Sequence, residues 1–166
     1  MTFSSPMGPA FDALIRAAKP AEARWIEAYL TRSWGSTIMI TRGVAHDASN
    51  LPALVAVQSD EIVGLATFRV AEGECELVSL DVLRHGQGIG SALLARVSEE
   101  AANRGCRRLW LITTNDNLDA IRFYQRRGLR LVAVHPGAVD AARRIKRAFR
   151  RSGSMASRST TNSSSS

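Results

Sequence analysis

Apolar and β-branched residues occur in short runs along the first half of the chain, separated by polar or glycine-containing breaks. A strand is predicted at residues 13–18, and a helix from Pro20 to about Ser33, where apolar positions repeat at helical spacing. Three further runs have the length and β-branched content of strands, at residues 54–58, 62–70 and 75–82. The turn residues between these runs predict an antiparallel meander.

The second half of the chain changes to alternating helices and strands. Apolar residues repeat at helical spacing from Ile89 and predict a helix to about Arg104, which Gly105 ends. A strand, a helix ended by Gly128 at its C′ position and a last strand are predicted next, at residues 108–113, 118–127 and 129–135. This order predicts an α+β fold, with a mixed sheet that combines an antiparallel meander with a parallel strand pair and has flanking helices.

A glycine-rich segment joins the predicted strand at 75–82 to the following helix. It reads His85-Gly86-Gln87-Gly88-Ile89-Gly90-Ser91, with glycine at three alternate positions. Glycine adopts positive φ and lets a ligand approach the backbone, and the helix N-terminus beyond it has unpaired N–H groups and a positive dipole end. These features suit phosphate or pyrophosphate, although the pattern alone fits a ligand-free turn equally well. A Walker loop and a dinucleotide fingerprint both require residues that this segment lacks.

A second motif follows the predicted strand at 108–113. It contains, at fixed spacing, Asn117, Ala120, Phe123, Tyr124 and Gly128. Together with the glycine loop, this motif resembles the GNAT superfamily of acetyl-CoA-dependent N-acetyltransferases, whose loop reads Arg/Gln-x-x-Gly-x-Gly/Ala and whose later segment reads Asn-x-x-Ala-x-x-Phe-Tyr. The resemblance covers the chain from about residue 13 to residue 146. It departs from the family at the first loop position, where His85 replaces the usual Arg or Gln.

The resemblance implies how acetyl-CoA would bind. In GNAT folds the strands before and after the glycine helix splay apart, and the pantetheine arm enters the gap. A backbone N–H near Leu80 would polarise the thioester carbonyl, Asn117 would bind pantetheine, and Tyr124 would protonate the departing thiolate. The residues expected to bind acetyl-CoA are Leu80, Val82, His85, Gly86, Gln87, Gly88, Ile89, Gly90, Ser91, Asn117 and Tyr124.

The general base has two candidates on the strand beside the expected acyl site. These are Glu76 and Asp81, and Glu76 resembles a glutamate that is frequent in the family, so Glu76 and Tyr124 are the predicted catalytic residues. Strand alternation places the two acids on opposite faces, unless a bulge of the kind that GNAT enzymes often carry there changes the parity. A solvated surface charge is an equally good interpretation of Glu76, and a water relay would need neither acid.

The first helices and their loop form the wall of the acceptor pocket in this family. Four polar or aromatic residues lie in the corresponding part of the chain, namely Trp34, Arg42, His46 and Asp47. His46 beside Asp47 has the composition of a base with an orienting carboxylate. A solvated pair in a loop is the preferred interpretation.

The formal net charge of +7 arises from 22 basic and 15 acidic residues. Four of the arginines lie in residues 147–166, which contain no acid, and the rest of the chain has 18 basic residues against 15 acidic ones. The high charge therefore belongs mostly to the tail, and a nucleic-acid partner is not favoured. Residues 1–12 are predicted to be a loose segment and residues 147–166 a disordered one, around a domain at 13–146. We hold as a hypothesis that residues 147–166 derive from a shifted reading frame.

Further exclusions complete the functional prediction. No apolar run reaches membrane-spanning length, no Cys or His cluster has metal-ligand spacing, and Cys75 and Cys106 are expected to be reduced core residues. We therefore predict a cytoplasmic enzyme without a metal that transfers the acetyl group of acetyl-CoA to a primary amine by direct attack. The alternative is a catalytically silent GNAT domain that senses acyl-CoA. The acceptor is left open, and a homodimer is a candidate assembly because GNAT domains commonly dimerise.

Overall fold

The computed structural model describes residues 12–114, 116–133 and 137–158. Its strands are β1 (Leu14–Ala17), β2 (Ile38–Thr41), β3 (Val44–Asp47), β4 (Ala53–Gln58), β5 (Glu61–Ala71), β6 (Glu74–Val82) and β7 (Arg108–Trp110). Its α-helices are α1 (Ala23–Trp34), α2 (Ile89–Asn103), α3 (Leu118–Arg126) and α4 (Ala138–Arg158). Two compact units contain these elements: β1, α1, β4, β5, β6, α2 and β7 form the first, and β2, β3, α3 and α4 form the second. In the described part of the chain, no helix has both the length and the hydropathy needed to cross a membrane.

A five-stranded mixed sheet forms the framework of the first unit, in the order β1-β4-β5-β6-β7. The pairs β1–β4, β4–β5 and β5–β6 are antiparallel, whereas β6 and β7 are parallel. Helix α2 lies between β6 and β7 in the chain and supplies the crossover that a parallel pair requires. The predicted α+β class, with a meander and a parallel pair, is confirmed.

Two-residue turns connect the strands of the meander. Ser59 and Asp60 have φ angles of 49° and 62°, and Glu72 and Gly73 have φ angles of 54° and 71°. Two consecutive residues with positive φ are typical of a type I′ turn, whose twist matches that of the paired strands. Both predicted turns are therefore present, and each sets the register of its hairpin.

The core of the first unit is formed by α1, the central strands and the inward face of α2. Its buried apolar side chains include Ile26, Leu30, Val55, Val63, Leu65, Phe68, Cys75, Leu93 and Val97. Gly64 lies beneath the start of α2, because a Cβ atom there would be 2.7 Å from Cγ2 of Ile89. The missing side chain thus permits the helix to approach the sheet closely.

A bulge interrupts the pairing of β6 with β5. Thr67 pairs with Ser79, whereas the next residue, Phe68, pairs with Leu77, so Val78 is the extra residue. The side-chain oxygens of Thr67 and Ser79 are buried and lie 2.6 Å apart. Such a bulge bends its strand and increases the local twist.

Strand β7 is shorter than predicted. Its pairing with β6 ends at Glu76 and Trp110, two residues before the bulge, whereas the sequence predicts a strand at 108–113. Among the described residues, the chain after Trp110 pairs with no strand, although β6 continues to Val82 with that edge open. The parallel pair therefore separates, as expected of a splayed pair.

The second unit contains the hairpin of β2 and β3, with α4 packed against β2. The assignment of this part of the chain to a loop is wrong. Arg42 and Gly43 have φ angles of 48° and 75° and form another type I′ turn between two short strands. A two-residue turn with glycine in second position, between apolar runs, was a local signal for this hairpin.

Two expectations for the C-terminal part are wrong within the described residues. Residues 129–133 form no strand, and residues 134 and 135 of the predicted strand lie outside the described part. Leu131 and Val132 are exposed, and no described strand pairs with them. Helix α4 extends to residue 158, although disorder is predicted from residue 147. The first turns of α4 have an apolar stripe of residues spaced by three, namely Val139, Ala142 and Ile145. The helix that begins with this stripe continues to residue 158.

Candidate active site

The edge of β6 facing β7 has no partner strand among the described residues beyond Glu76. The N–H of Leu83 donates to the carbonyl oxygen of Val63 at 2.8 Å and therefore points toward β5. N–H directions alternate along a strand, so the N–H groups of Leu80 and Val82 point away from β5, toward this edge. It is the edge at which the family resemblance implies pantetheine.

The glycine loop follows β6 and leads into α2. Gly86 and Gly88 have φ angles of 78° and 75°, and Gly88 is the N-cap residue of α2. The N–H of Ala92 donates to the carbonyl oxygen of Gly88 at 3.1 Å, which opens the helical hydrogen-bond series. The N–H groups of Ile89 and Gly90 precede this bond, in the turn whose N–H groups have no intrahelical partner. Their position at the positive end of the helix suits an anion.

Polar side chains hold the start of the loop against the β4–β5 turn. Arg84 donates to the side-chain oxygens of Gln58 at 2.7 Å and of Glu61 at 2.8 Å. Gln58 in turn donates to the side-chain oxygen of Gln87 at 3.3 Å. Each exposed contact contributes little alone, but together they restrict the loop. His85, at the first loop position, is exposed.

Cross-strand pairing places the two acids of β6 on one face of the sheet. Glu76 pairs with Arg69 before the bulge, and Asp81 pairs with Leu65 after it. Arg69 and Leu65 are four positions apart on β5, so alternation puts both on the face opposite to Gly64 and α2. Directly paired residues share a face, and Glu76 and Asp81 therefore lie on the same side. The bulge on which this arrangement depends is present.

Glu76 is a buried carboxylate with few polar contacts to offset its loss of hydration. Its exposed fraction is 2%, and neither of its oxygens accepts a hydrogen bond from any described residue. Arg69 Nη1 lies 3.9 Å from Oε2, at the outer limit of an ion pair. A carboxylate so placed is costly to the fold, which makes Glu76 a candidate functional residue.

Asp81 contacts the end of α1. Trp34 Nε1 donates to both of its carboxylate oxygens, at 3.2 and 3.3 Å. Burial raises the pKa of Asp81 to about 6, and the hydrogen bond from Trp34 acts in the opposite direction. The sequence places Trp34 in the acceptor wall but does not predict this contact, since residues 47 positions apart leave no local signal.

The other two predicted site residues lie on α3, in the second unit. Asn117 is the N-cap residue, and its Oδ1 accepts from the N–H of Ala120 at 3.2 Å. Tyr124 is half-buried and packs edge-to-face against Phe123, with the ring centroids 5.2 Å apart. Seven positions make about two helical turns, so Asn117 and Tyr124 lie on the same side of α3. Gly128 follows with a φ of 89°, as predicted for the C′ position.

The hypothesis of a base formed by His46 and Asp47 is not supported. Both residues lie in β3, where His46 pairs with Met39 and Asp47 pairs with Ile38. Successive side chains on a strand point to opposite faces, so the carboxylate is not aimed at the imidazole. The preferred interpretation of His46 and Asp47 as a solvated pair in a loop is also wrong, because both residues belong to β3.

Comparisons with known proteins agree with this fold. Residues 14–129 match the acetyltransferase (GNAT) family. The uncharacterized protein YdhI of Bacillus subtilis (strain 168) is 42% identical over 119 residues, which are 71% of this chain and 74% of YdhI. The aminoglycoside N-acetyltransferase AAC(6')-Iy, in complex with CoA, superposes with a TM-score of 0.56 at 17% identity, over 74% of this chain and 93% of that one. The ribosomal-protein-S18-alanine N-acetyltransferase from Escherichia coli gives a TM-score of 0.57 at 19% identity, over 73% and 79%.

The fold and the glycine loop at the start of α2 therefore define an acetyltransferase architecture. The chain belongs to the acetyltransferase (GNAT) family, because the match to that family spans residues 14–129, which is more than half of the chain. The resemblance inferred from the two sequence motifs is confirmed at the level of the family.

Proposed function

We propose that the protein is an N-acetyltransferase that moves the acetyl group of acetyl-CoA to a primary amine by direct attack. The observation that carries the proposal is the continuity between the open edge of β6 and the glycine loop. The N–H groups of Leu80 and Val82 face that edge, and the loop begins at His85, three positions further along. An extended pantetheine arm forms strand-like hydrogen bonds along such an edge, and its pyrophosphate needs an anion site at the end.

The loop has the properties that a pyrophosphate requires. A Cβ atom added at Gly86 or at Gly88 would have no atom of the described residues within 4 Å, so this part of the structure leaves the space beside both glycines open to a ligand. The N–H groups of the loop and of the first turn of α2, together with the hydroxyl of Ser91, are the proposed ligands of the phosphates. Ile89 is buried and contributes only its backbone. The CoA complex of AAC(6')-Iy supports the proposal, because that protein shares this fold.

The chemistry needs a polarised carbonyl, a neutral amine and a protonated leaving group. As the amine attacks, a C–N bond forms and negative charge develops on the thioester oxygen, which the N–H of Leu80 would stabilise. The C–S bond then breaks, and the phenol of Tyr124 would protonate the thiolate. Asn117 would hold the pantetheine arm through its amide, beside its capping role in α3.

The decisive experiment is a screen for acetyl-CoA-dependent release of free thiol with classes of amines. The panel contains small alkyl amines, amino acids, polyamines, aminoglycosides and peptides with free N-termini. We expect thiol release with at least one class and a product that carries one acetyl group by mass spectrometry. Binding of acetyl-CoA without turnover in every class would favour the silent sensor instead. Absence of acetyl-CoA binding would contradict both functions.

A further inference from the structure

We propose that Asp81, rather than Glu76, receives the ammonium group of the acceptor and takes its proton, and that the Trp34 indole holds the Asp81 carboxylate in position. The inference rests on the proposed acetyl transfer and assigns its general base. It also defines the form in which the acceptor arrives, which is a protonated primary amine.

Exposure distinguishes the two carboxylates. Glu76 is 2% exposed, with Arg69 Nη1 3.9 Å from Oε2, so an acceptor reaches it only if the sheet rearranges. Asp81 is partly exposed, at the end of the same strand. Its partner Trp34 has an exposed fraction of 47%, so both groups of the pair are accessible from solvent. A carboxylate that binds an incoming ammonium has to be accessible before the acceptor arrives.

Position along β6 gives the same assignment. Asp81 is adjacent to Leu80, whose N–H is the proposed partner of the thioester oxygen. Glu76 precedes Leu80 by four positions, one of which the bulge absorbs, so it lies about 10 Å away along the strand. An amine held by Asp81 is therefore closer to the acyl carbon than one held near Glu76.

The hydrogen bond from Trp34 gives this carboxylate a fixed orientation. The indole N–H donates to both oxygens, at 3.2 and 3.3 Å, so it bridges the carboxylate while leaving other lone pairs of the oxygens for an ammonium. Trp34 is neutral and contributes no competing charge. Within the described strands, pairing places five other charged residues on the same face of the sheet, namely Arg16 of β1, Arg69 of β5, Glu74 and Glu76 of β6, and Arg108 of β7. Arg16 forms an ion pair with Glu22, and Arg108 forms one with Glu74.

The proton transfers balance in four steps. One N–H proton of the ammonium passes to a carboxylate oxygen of Asp81, and the neutral amine attacks the thioester carbon. The C–N bond forms, the C–S bond breaks, and the phenol of Tyr124 gives its proton to the departing thiolate. The second proton of the nitrogen then passes through solvent to the tyrosinate and restores the phenol. Asp81 then returns its proton to solvent. Burial raises the pKa of Asp81 to about 6, which narrows the difference between the pKa of this base and that of an alkyl ammonium.

The first test compares Asp81→Asn with Glu99→Gln, a matched loss of one carboxylate on the exposed side of α2. With an acceptor identified in the amine screen, Asp81→Asn should lower kcat/KM by about 10²- to 10⁴-fold, while acetyl-CoA still raises the melting temperature. Glu99→Gln should retain the wild-type kcat/KM. Wild-type turnover by Asp81→Asn would overturn the inference and leave acetyl transfer intact, whereas an inactive wild type would overturn both.

The second test uses the pH profile of Trp34→Phe, which reports on Asp81 without removing it. In the wild type, the acidic limb of kcat/KM should lie near pH 6 and stay there when a second acceptor with a different amine pKa is used. Loss of the indole N–H raises the pKa of the carboxylate, so the limb should move to higher pH by roughly half a unit or more. The control is Trp25→Phe, which removes an indole that stacks on Tyr29 in the same helix. A limb that does not move in Trp34→Phe would refute the positioning role.

Discussion

Cγ2 of Ile89 occupies the place where a side chain at Gly64 would begin, since a Cβ atom there would lie only 2.7 Å away. The same Cβ atom at Gly64 would lie 2.9 Å from Cδ1 of Leu93. Ile89 is the first residue of α2 and follows Gly88 of the glycine loop. The distance between this loop and the sheet therefore depends on the absence of a side chain at Gly64.

Substituting Gly64 by Ala should destabilise the protein and weaken acetyl-CoA binding together. Overpacking of a filled core typically costs about 1–3 kcal/mol, and here the displaced atoms belong to the residue that begins α2. The measurements are the free energy of unfolding in denaturant and the Kd for acetyl-CoA.

The control for Gly64→Ala is Gly105→Ala, at the other end of α2. Its φ of 71° imposes backbone strain of roughly 1–2 kcal/mol, but no atom in the described part of the chain would lie within 4 Å of its Cβ. It should lose stability and keep its Kd. Equal stability of Gly64→Ala and the wild type would show that the helix relaxes away without cost.

Replacing Gly88 by Val should abolish the rise in melting temperature that acetyl-CoA produces in the wild type. A branched side chain at this N-cap would occupy the space that the pyrophosphate needs, and a ligand raises the melting temperature only by binding the native state. The comparison is Gly105→Val, which has a similar φ, 71° against 75°, and equally open surroundings. Both variants start from a lower melting temperature because of backbone strain. A retained shift in Gly88→Val would place the ligand elsewhere.

Tyr124→Phe should lower kcat by about 10²-fold and leave the Kd for acetyl-CoA nearly unchanged. The ring and its packing against Phe123 stay, while the proposed proton donor is lost. Because a thiolate is a good leaving group, the effect belongs at the low end of general-acid contributions. The alkaline limb of the kcat profile, measured at saturating acceptor so that ionisation of the free amine does not contribute, should disappear as well.

The comparison for Tyr124→Phe is Tyr29→Phe, which removes a phenolic hydroxyl in α1 and keeps the ring that stacks on Trp25. It should keep the wild-type kcat. Unchanged turnover by Tyr124→Phe, at saturating acetyl-CoA and with chemistry rate-limiting, would mean that solvent or the acceptor protonates the thiolate.

Local patterns in the sequence predicted the meander, the glycine loop and the helix ends, because each depends on residues close in the chain. Gly105 and Gly128 both have positive φ at a helix end, as their position in the sequence indicates. The hairpin of β2 and β3 was missed because its strands have four residues each and resemble a loop. Their turn, Arg42-Gly43, was the usable signal.

The sequence predicted that Glu76 and Asp81 share a face of the sheet only on the condition that a bulge lies between them. Alternation alone puts Glu76 and Asp81 on opposite faces, and only the pairing with β5 shows that Val78 is the extra residue. The contact of Trp34 with Asp81 joins α1 to β6 and depends on tertiary packing. The burial that raises the pKa of Asp81 has the same origin. Such properties arise from the fold and have no counterpart in a local motif.

The raised pKa of Asp81 predicts a pH dependence of stability that Asp81→Asn should remove. The value is about 6 in the folded protein and 3.8 for an ordinary aspartate, so folding favours the protonated form. Below about pH 3.8 the group is protonated in both states and does not reduce stability. As pH rises from there to about 6, the unfolded chain releases its proton first and stability falls; above pH 6 the loss is constant. This loss of folding free energy should amount to roughly 1–3 kcal/mol.

The measurement for this prediction is the free energy of unfolding of the wild type and of Asp81→Asn, in denaturant, between pH 4 and pH 7. Taking the difference between the two proteins cancels every other titrating group, provided that the two unfold in the same two-state manner. Asn keeps an oxygen that accepts from Trp34, so the indole contact is preserved while the ionisation is lost. Stability of the variant relative to the wild type should therefore increase with pH and level off above about pH 6. A difference that is flat across the range would mean that the folded carboxyl titrates like an exposed one, and a difference of opposite sign would mean that the Trp34 hydrogen bond outweighs burial.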